Sequence, residues 1–196
     1  MVSANLVADP VLSGPSRLRS VPGPTRLRLA DLLHITDRTA DDVLSGRYDH
    51  VVPAGGVPTD DRWFARLHGD DEVDVWLISW APGHRTELHD HGGSLGALTL
   101  LSGSLDEFRW DGEYLRCKRL EAGDQAAFPL GWVHDVVWAP TSPRAPAATS
   151  LSGTPGPSLS VHAYSPPLTV MSYYEVTNEH RLRRQRTELT DQPENL

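Results

Sequence analysis

Cysteine and lysine are almost absent from this sequence, and each shortage excludes a class of protein. Cys117 is the only cysteine in 196 residues, so no intrachain disulfide can form and a disulfide-stapled secreted framework is excluded. Lys118 is the only lysine, and arginine supplies the rest of the 18 basic residues against 26 acidic ones. The net charge of −8 argues against a nucleic-acid-binding protein, because phosphate contacts need clustered Lys and Arg side chains.

Long apolar runs are also missing from the sequence. No stretch approaches the length needed to span a membrane, and the N-terminal residues lack the charged-then-apolar pattern of a secretory signal. We therefore expect a cytoplasmic protein with no membrane partner. The length of 196 residues fits one domain with additional segments and is sufficient to bury a sizeable core.

The chain is expected to divide into three parts. Residues 1–25 are interrupted by four prolines and are predicted to form a flexible N-terminal segment. A single domain is expected over residues 26–176, followed by a polar C-terminal tail over 177–196 whose arginines form a solvated face.

Helices are predicted only near the beginning of that domain. Apolar spacing favours a short helix over Leu27–Leu33 and a second one that begins at Thr39 or Asp41 and ends at Gly46. Both are expected to pack on the outside of a barrel.

From Arg62 onward the pattern is one of short strands separated by turns, which predicts an all-β barrel or jelly roll. The stretch 139–157 is rich in Pro, Ala, Ser, Thr and Gly and is predicted to be a surface loop. The predicted strands are 63–67, 73–80, 88–91, 95–101, 105–110, 114–120, 126–128, 133–138, 158–164 and, last, 170–176.

The segment Gly83–Gly103 contains the pair His89-Asp90-His91. Residues two apart on a strand face the same side, so His89 and His91 should project together while Asp90 turns away. Two imidazoles without a nearby thiol suit a divalent ion such as iron, zinc or nickel. The Gly/His spacing of this segment resembles the first cupin motif.

A second block, Gly123-x5-Pro129-x-Gly131-x2-His134, resembles the second cupin motif and supplies a third histidine. Three neutral ligands leave a divalent ion its full charge and open positions, whereas structural zinc sites are usually closed by four protein ligands. The sequence therefore predicts a site for catalysis or substrate binding.

Gly96 occupies the position at which the usual cupin pattern has a glutamate ligand. Without that carboxylate, an anionic substrate such as a thiolate, a carboxylate or an enolate must supply the missing negative charge. Iron is favoured only if the reaction uses O₂, since zinc, nickel and copper also accept this ligand set.

Two further groups of residues have the chemistry of a binding site. Ser160, His162 and Tyr164 are spaced by two, so one strand face carries all three, either inward as a hydrogen-bonded relay or outward as a polar surface. Arg66 offers a planar fork for a substrate carboxylate. The alternative reading is a surface arginine, and Arg62 competes for the role.

These motifs together resemble the cysteine dioxygenase family over roughly residues 62–175. The resemblance rests on Trp80-x2-Gly83, on 88–94, on Leu101-x-Gly103-x-Leu105-x-Glu107 and on 160–167. It implies a cupin fold, mononuclear non-haem iron(II), and oxidation of L-cysteine to cysteine sulfinate with both atoms of O₂.

The same resemblance implies individual roles. His89, His91 and His134 would hold iron, and Arg66 would bind the substrate carboxylate. Ser160, His162 and Tyr164 would form the family's catalytic relay with the tyrosine hydroxyl beside the metal, and Ser165-Pro166 would be cis.

One departure concerns Gly96, where animal members carry a cysteine joined covalently to the tyrosine. That cross-link cannot form in this chain, which bears on how the tyrosine is positioned and on the rate.

Two alternatives to cysteine oxidation remain at this level. Another small thiol such as 3-mercaptopropionate is one, although related enzymes that prefer it carry glutamine at the arginine position. A non-catalytic cupin that binds a metal or small ligand is the other. The expected partners are a small thiol and O₂, with the protein acting as a monomer. No site role is predicted for the other histidines, which are His34, His50, His68, His84 and His180.

Overall fold

The structure, a computed structural model, describes residues 26–140 and 156–193, in which β-strands predominate. The secondary-structure elements, in chain order, are helix α1 (Leu29–Leu44), a 3₁₀ turn (Asp49–Val51), β1 (Trp63–Gly69), β2 (Asp74–Trp80), β3 (His89–Asp90), β4 (Leu95–Ser102), β5 (Ser104–Trp110), β6 (Leu115–Glu121), β7 (Gln125–Phe128), β8 (His134–Ala139), β9 (Ser158–Ser165), β10 (Val170–Val176) and β11 (Leu182–Leu189).

The strands form two antiparallel sheets, which confirms the predicted all-β class. One sheet has the order β1-β2-β9-β4-β7 and the other the order β11-β10-β3-β8-β5-β6. Within the described residues the two sheets do not join into one closed hydrogen-bonded barrel. The arrangement is thus a jelly roll of two packed sheets.

The core between the sheets is built by alternate residues of facing strands. Trp76, Ile78 and Trp80 of β2 point inward and pack with residues of the second sheet such as Leu105 and Val136. Strands β3 and β8 lie in the middle of that second sheet. Side chains that point inward from them are therefore enclosed by both layers.

Helix α1 covers the outer face of the first sheet. Leu32 and Ala40 belong to one cluster of buried side chains with Ala97 of β4 and with Val161 and Ala163 of β9, the strands on which the helix lies. All of β2 is buried as well, with Trp76, Ile78 and Trp80 in the core between the sheets and Val75 and Leu77 in the cluster on the other face.

The prediction of two short helices was wrong, because α1 is continuous from Leu29 to Leu44. Its buried face is Leu32, Thr36 and Ala40, spaced four residues apart. Thr36 is a polar residue and so interrupts the helical spacing of apolar residues in the sequence. In the structure its hydroxyl donates to the carbonyl oxygen of Leu33 at 3.0 Å and lies 2.9 Å from the hydroxyl of Thr99, which allows it to be buried.

Two strand predictions also differ from the structure. The metal-motif strand was expected over 88–91, but β3 comprises only His89 and Asp90. Strand β11 was not predicted; it pairs with the whole length of β10. Its sequence is almost entirely polar and exposed, so it lacks the alternation that identifies a half-buried strand.

The predicted N-terminal segment 1–25 and most of the predicted loop 139–157 lie outside the described residues. Among the residues that are described, α1 is too short and too polar to cross a bilayer, and no other helix is a candidate span.

Candidate metal centre

Three histidines meet between the two sheets. His89 lies on β3 and is the direct cross-strand partner of His134 on β8, while His91 follows β3. One ring nitrogen from each histidine lies within 4.8 Å of the others, and all three side chains are buried. The two sequence motifs therefore converge on one point, as their spacing predicted.

Polar contacts of the Nδ1 atoms orient two of the three rings. Nδ1 of His89 donates to the carbonyl oxygen of Glu87 at 2.7 Å, which leaves Nε2 as the ligand atom. Nδ1 of His134 lies 3.5 Å from Oε1 of Glu107. Nε2 of His134 is buried and has no hydrogen-bond partner in the described part of the chain. A buried imidazole nitrogen in that state beside two further imidazoles fits a divalent metal ion.

The charge of the site favours metal binding at neutral pH. Burial lowers the pKa of His134 to about 4, so its imidazole is neutral and its lone pair is available. Among the described residues the cluster contains only these three ligands and no carboxylate. The ion would keep its positive charge until an anionic ligand arrives.

Glu107 contacts the Nδ1 side of the His134 ring, a role that could not be assigned from the sequence. Burial opposes ionisation of Glu107, but its contacts with His134 and with the indole of Trp132, 3.2 Å away, hold its pKa below the usual range. The available signal was its position on β5, two residues after the buried Leu105 on the same inward face. A carboxylate behind a histidine ligand fixes the ring and raises its basicity.

Gly96 leaves no room for a side chain next to the histidines. A Cβ at this position would lie 2.9 Å from Cδ2 of Phe128 and 3.2 Å from Nδ1 of His91. Gly96 is also the cross-strand partner of Tyr164. The Phe128 ring occupies the space in which a larger residue would face that tyrosine, and Cys117 is exposed on β6.

Ser160, His162 and Tyr164 point inward from β9 and are buried, so they do not form the outward polar face. Nε2 of His162 lies 3.0 Å from Oγ of Ser160, and Nδ1 lies 3.2 Å from the hydroxyl of Tyr164. The Tyr164 ring centre lies 4.8 Å from that of His91. The three residues form a hydrogen-bonded chain that ends beside the histidine cluster.

Trp80 sets the direction of this chain. Its indole N–H can only donate, and it lies 2.8 Å from Oγ of Ser160. Among the described residues, the other partner of the Ser160 hydroxyl is Nε2 of His162. Because the buried hydroxyl hydrogen needs an acceptor, we infer that Ser160 donates there. His162 then carries its hydrogen on Nδ1 and donates it to Tyr164, whose own hydrogen is not used by His162.

Replacing Trp80 with phenylalanine should allow the hydrogen bonds of Ser160, His162 and Tyr164 to reverse direction. Without the indole donor, Ser160 can accept from His162, the ring can take its other tautomer, and Tyr164 then donates to His162. We expect kcat to fall about fivefold, the effect of one hydrogen bond of about 1 kcal/mol, while metal content is unchanged. Steady-state kinetics of Trp80→Phe measures this fall in kcat, with Trp110→Phe, at the end of β5, as the control. An unaltered kcat for Trp80→Phe would contradict the assigned direction.

The two candidate arginines lie on the edge of the first sheet. Arg66 on β1 pairs with Trp76, which pairs with His162, so it shares the inward face of the relay strand. Its Nη2 lies 3.3 Å from Oδ2 of Asp74, the cross-strand partner of Tyr164, and its side chain is 43% exposed. By contrast, the Arg62 guanidinium stacks 4.5 Å from the centre of the Trp80 ring.

Asp74 is a buried acid that the sequence analysis did not identify. Burial raises its pKa to about 6, against the attraction of Arg66. The folded protein thus holds this proton more tightly than the unfolded chain, whose pKa is 3.8. The contribution of Asp74 to the free energy of unfolding therefore falls as pH rises from about 4 to about 6. Above pH 6 this loss of stability is complete.

Asp74→Asn should remove this titration. Relative to the wild type, the variant is expected to gain roughly 2 to 3 kcal/mol of unfolding free energy between pH 4 and pH 7. Urea unfolding of both proteins at several pH values gives the difference, in which the other acidic groups cancel. A difference that does not change with pH would show that Asp74 has an ordinary pKa.

Comparison with known proteins gives one family match and several similar solved structures. The model of the family described as cysteine dioxygenase type I matches residues 59–177, more than half of the chain. An uncharacterized protein with a double-stranded beta-helix domain from Klebsiella pneumoniae is 19% identical; the match covers 60% of this chain and 85% of that one, with a TM-score of 0.44. A cupin superfamily protein from Desulfitobacterium hafniense is 14% identical, with 56% and 81% covered and a TM-score of 0.43. Both are similarities of fold.

Proposed function

Because the chain belongs to the cysteine dioxygenase type I family, as its motifs predicted, we propose that it is an iron(II)-dependent dioxygenase that oxidises L-cysteine to cysteine sulfinate. The reaction RS⁻ + O₂ → RSO₂⁻ balances without a further reductant. The thiolate sulfur loses four electrons, O₂ gains four, and both oxygen atoms end on sulfur.

The observation that carries the proposal is the composition of the metal centre. Three buried imidazoles converge, and no carboxylate joins them as a ligand among the described residues. An ion held in this way keeps its full positive charge, so an anionic ligand is favoured in the open positions. A thiolate supplies the negative charge that the three imidazoles lack. A site with a carboxylate ligand already has part of that negative charge.

His89, His91 and His134 would hold the ion. Bound iron(II) supplies positions on which a thiolate and O₂ are brought together. Arg66 binds the substrate carboxylate and so fixes the direction from which the sulfur approaches. Tyr164, oriented by His162, donates a hydrogen bond at the same place, and the Phe128 ring 4.2 Å from the His134 ring keeps one side of the centre apolar.

The arginine also bears on the choice of substrate. A guanidinium can bind the carboxylate of either L-cysteine or 3-mercaptopropionate, but the resemblance associates glutamine with the second substrate, and position 66 is arginine. L-cysteine is therefore our proposed substrate. We further propose that the protein acts on it in the cytoplasm as a monomer.

An oxygen-electrode assay tests the proposal. Iron-loaded protein is supplied with L-cysteine, 3-mercaptopropionate and 2-aminoethanethiol in turn, and sulfinate is measured. We expect one sulfinate formed per O₂ consumed, with the highest kcat/KM for L-cysteine. Iron bound at one equivalent without O₂ uptake with any thiol would instead support a non-catalytic metal-binding protein.

A further inference from the structure

The strand that presents the metal ligands is short, although backbone hydrogen bonds also join Thr86 to Val136 and Tyr174 to Leu88 just before it. β3 contains two residues, which pair with Tyr173 and Ser172 of β10, and its only partner on β8 is His134. Backbone pairing fixes the path of this segment, but it does not by itself set the side-chain rotamers of His89 and His91. Side-chain contacts on either side of β3 are therefore the place to look for what orients the metal ligands.

Arg186 of β11 provides such a contact before β3. Its Nη1 and Nη2 each donate to one carboxylate oxygen of Glu87, both at 2.8 Å. The backbone carbonyl of Glu87 is the group that accepts from Nδ1 of His89. The guanidinium also lies 3.7 Å from the ring centre of Tyr173, the cross-strand partner of His89. Arg186 thus holds both neighbours that orient this histidine.

Arg184 of β11 provides a second contact after β3. Its Nη2 donates to the hydroxyl of Tyr174 at 3.1 Å, and that hydroxyl donates to Oδ2 of Asp90 at 2.6 Å. Oδ1 of Asp90 accepts from the backbone N–H of Gly92 at 2.9 Å. Asp90 and Gly92 flank His91, so this chain of hydrogen bonds ends on both sides of the second metal histidine.

We propose that Arg184 and Arg186 are positioning residues of the metal site, which β11 supplies from outside the family match over 59–177. The inference rests on the proposed function in one respect, namely that the three histidines bind a metal. Both arginines are exposed, and exposed pairs of this kind add little to global stability. Their effect is on the orientation of His89 and His91.

Metal affinity of the metal-free protein measures this effect without reference to turnover. Co²⁺ is titrated into wild type, Arg186→Gln, Arg184→Gln and the double variant. Each single change is expected to weaken affinity about tenfold and the double change about 100-fold, the range found for residues that support metal ligands. The matched control is Arg183→Gln on the same strand, whose ion pair with Glu175 is confined to the β10–β11 hairpin.

A structural role would give a different result. One such result is that Arg186→Gln costs the metal-free protein as much free energy of unfolding as it costs in free energy of Co²⁺ binding. Another is that Arg183→Gln weakens Co²⁺ binding as much as Arg186→Gln does. Either result would mean that β11 merely stabilises the sheet. Arg186→Lys, which keeps the charge but not the two-pronged contact, should recover only part of the affinity. Unchanged affinity in Arg186→Gln overturns the inference. Tight Co²⁺ binding by a wild type that oxidises no thiol would sink only the proposed enzymatic function.

Discussion

Replacing His89 with alanine will abolish metal binding and thiol oxidation together. The side chain is fully buried and lies at the centre of the cluster, with ring centres 5.1 Å from His91 and 4.7 Å from His134. Two remaining imidazoles and no carboxylate make a poor site for a divalent ion. We expect affinity for iron(II) to fall at least 100-fold, since even the partners that orient a ligand are worth about 10- to 100-fold.

The experiment compares iron content, Co²⁺ affinity and O₂ consumption in His89→Ala with those of wild type. His34→Ala is the matched control, because His34 is exposed on α1. Melting curves of the metal-free proteins separate the loss of a ligand from loss of folding. Full turnover in a folded His89→Ala protein would show that the three histidines are not the catalytic metal site.

The second large effect is expected at Arg66. Removing the guanidinium with Arg66→Ala should raise KM for L-cysteine and for 3-mercaptopropionate about 10- to 100-fold, as a charge-assisted hydrogen bond is lost. The KM for 2-aminoethanethiol, which has no carboxylate, should change little. Metal content should stay the same, because the ion pair of Arg66 is with Asp74 and, in the part of the chain that the structure describes, not with a metal histidine.

Arg66→Ala also leaves the buried Asp74 without its cation, so stability must be checked by thermal unfolding. Arg66→Gln keeps hydrogen-bond donors at this position and provides a second variant, which should shift preference towards 3-mercaptopropionate. Arg62→Ala is the matched arginine control on the same edge of the sheet. An unchanged KM in Arg66→Ala together with a raised KM in Arg62→Ala would assign the carboxylate to Arg62.

The local part of this site could be predicted from the sequence. Strand periodicity places His89 and His91 on one side, and the Gly/Pro skeleton around His134 brings in the third ligand. The same periodicity groups Ser160 with Tyr164. These predictions depend on residues a few positions apart, for which the backbone geometry alone determines which side chains lie together.

The supporting contacts could not be predicted because they join distant parts of the chain. Glu107 reaches His134 only through the pairing of β5 with β8, and Arg186 reaches Glu87 across 99 positions. Nor did composition distinguish β11 from a solvated tail, since its stabilising partner is the backbone of β10 and not an apolar face. The same limit applies to Asp74, whose burial depends on the neighbouring strands.

The cis peptide at Ser165-Pro166 was predicted from the resemblance alone and is confirmed by the structure. Its prediction needed no tertiary information, because the motif that contains it matches the family residue by residue. By contrast, the buried Thr36 of α1 has its hydroxyl satisfied by Thr99 of β4, far away in the sequence. No pattern within the helix reveals that contact.

Iron K-edge X-ray absorption of the iron-loaded protein tests the three-imidazole account most directly. Before substrate is added, the spectrum should show imidazole scattering and no sulfur. A sulfur scatterer should join the iron when L-cysteine is supplied without O₂, whereas L-serine should add none. An iron environment that gains no sulfur at cysteine concentrations that support turnover would contradict the proposal that the substrate thiolate completes the charge of this site.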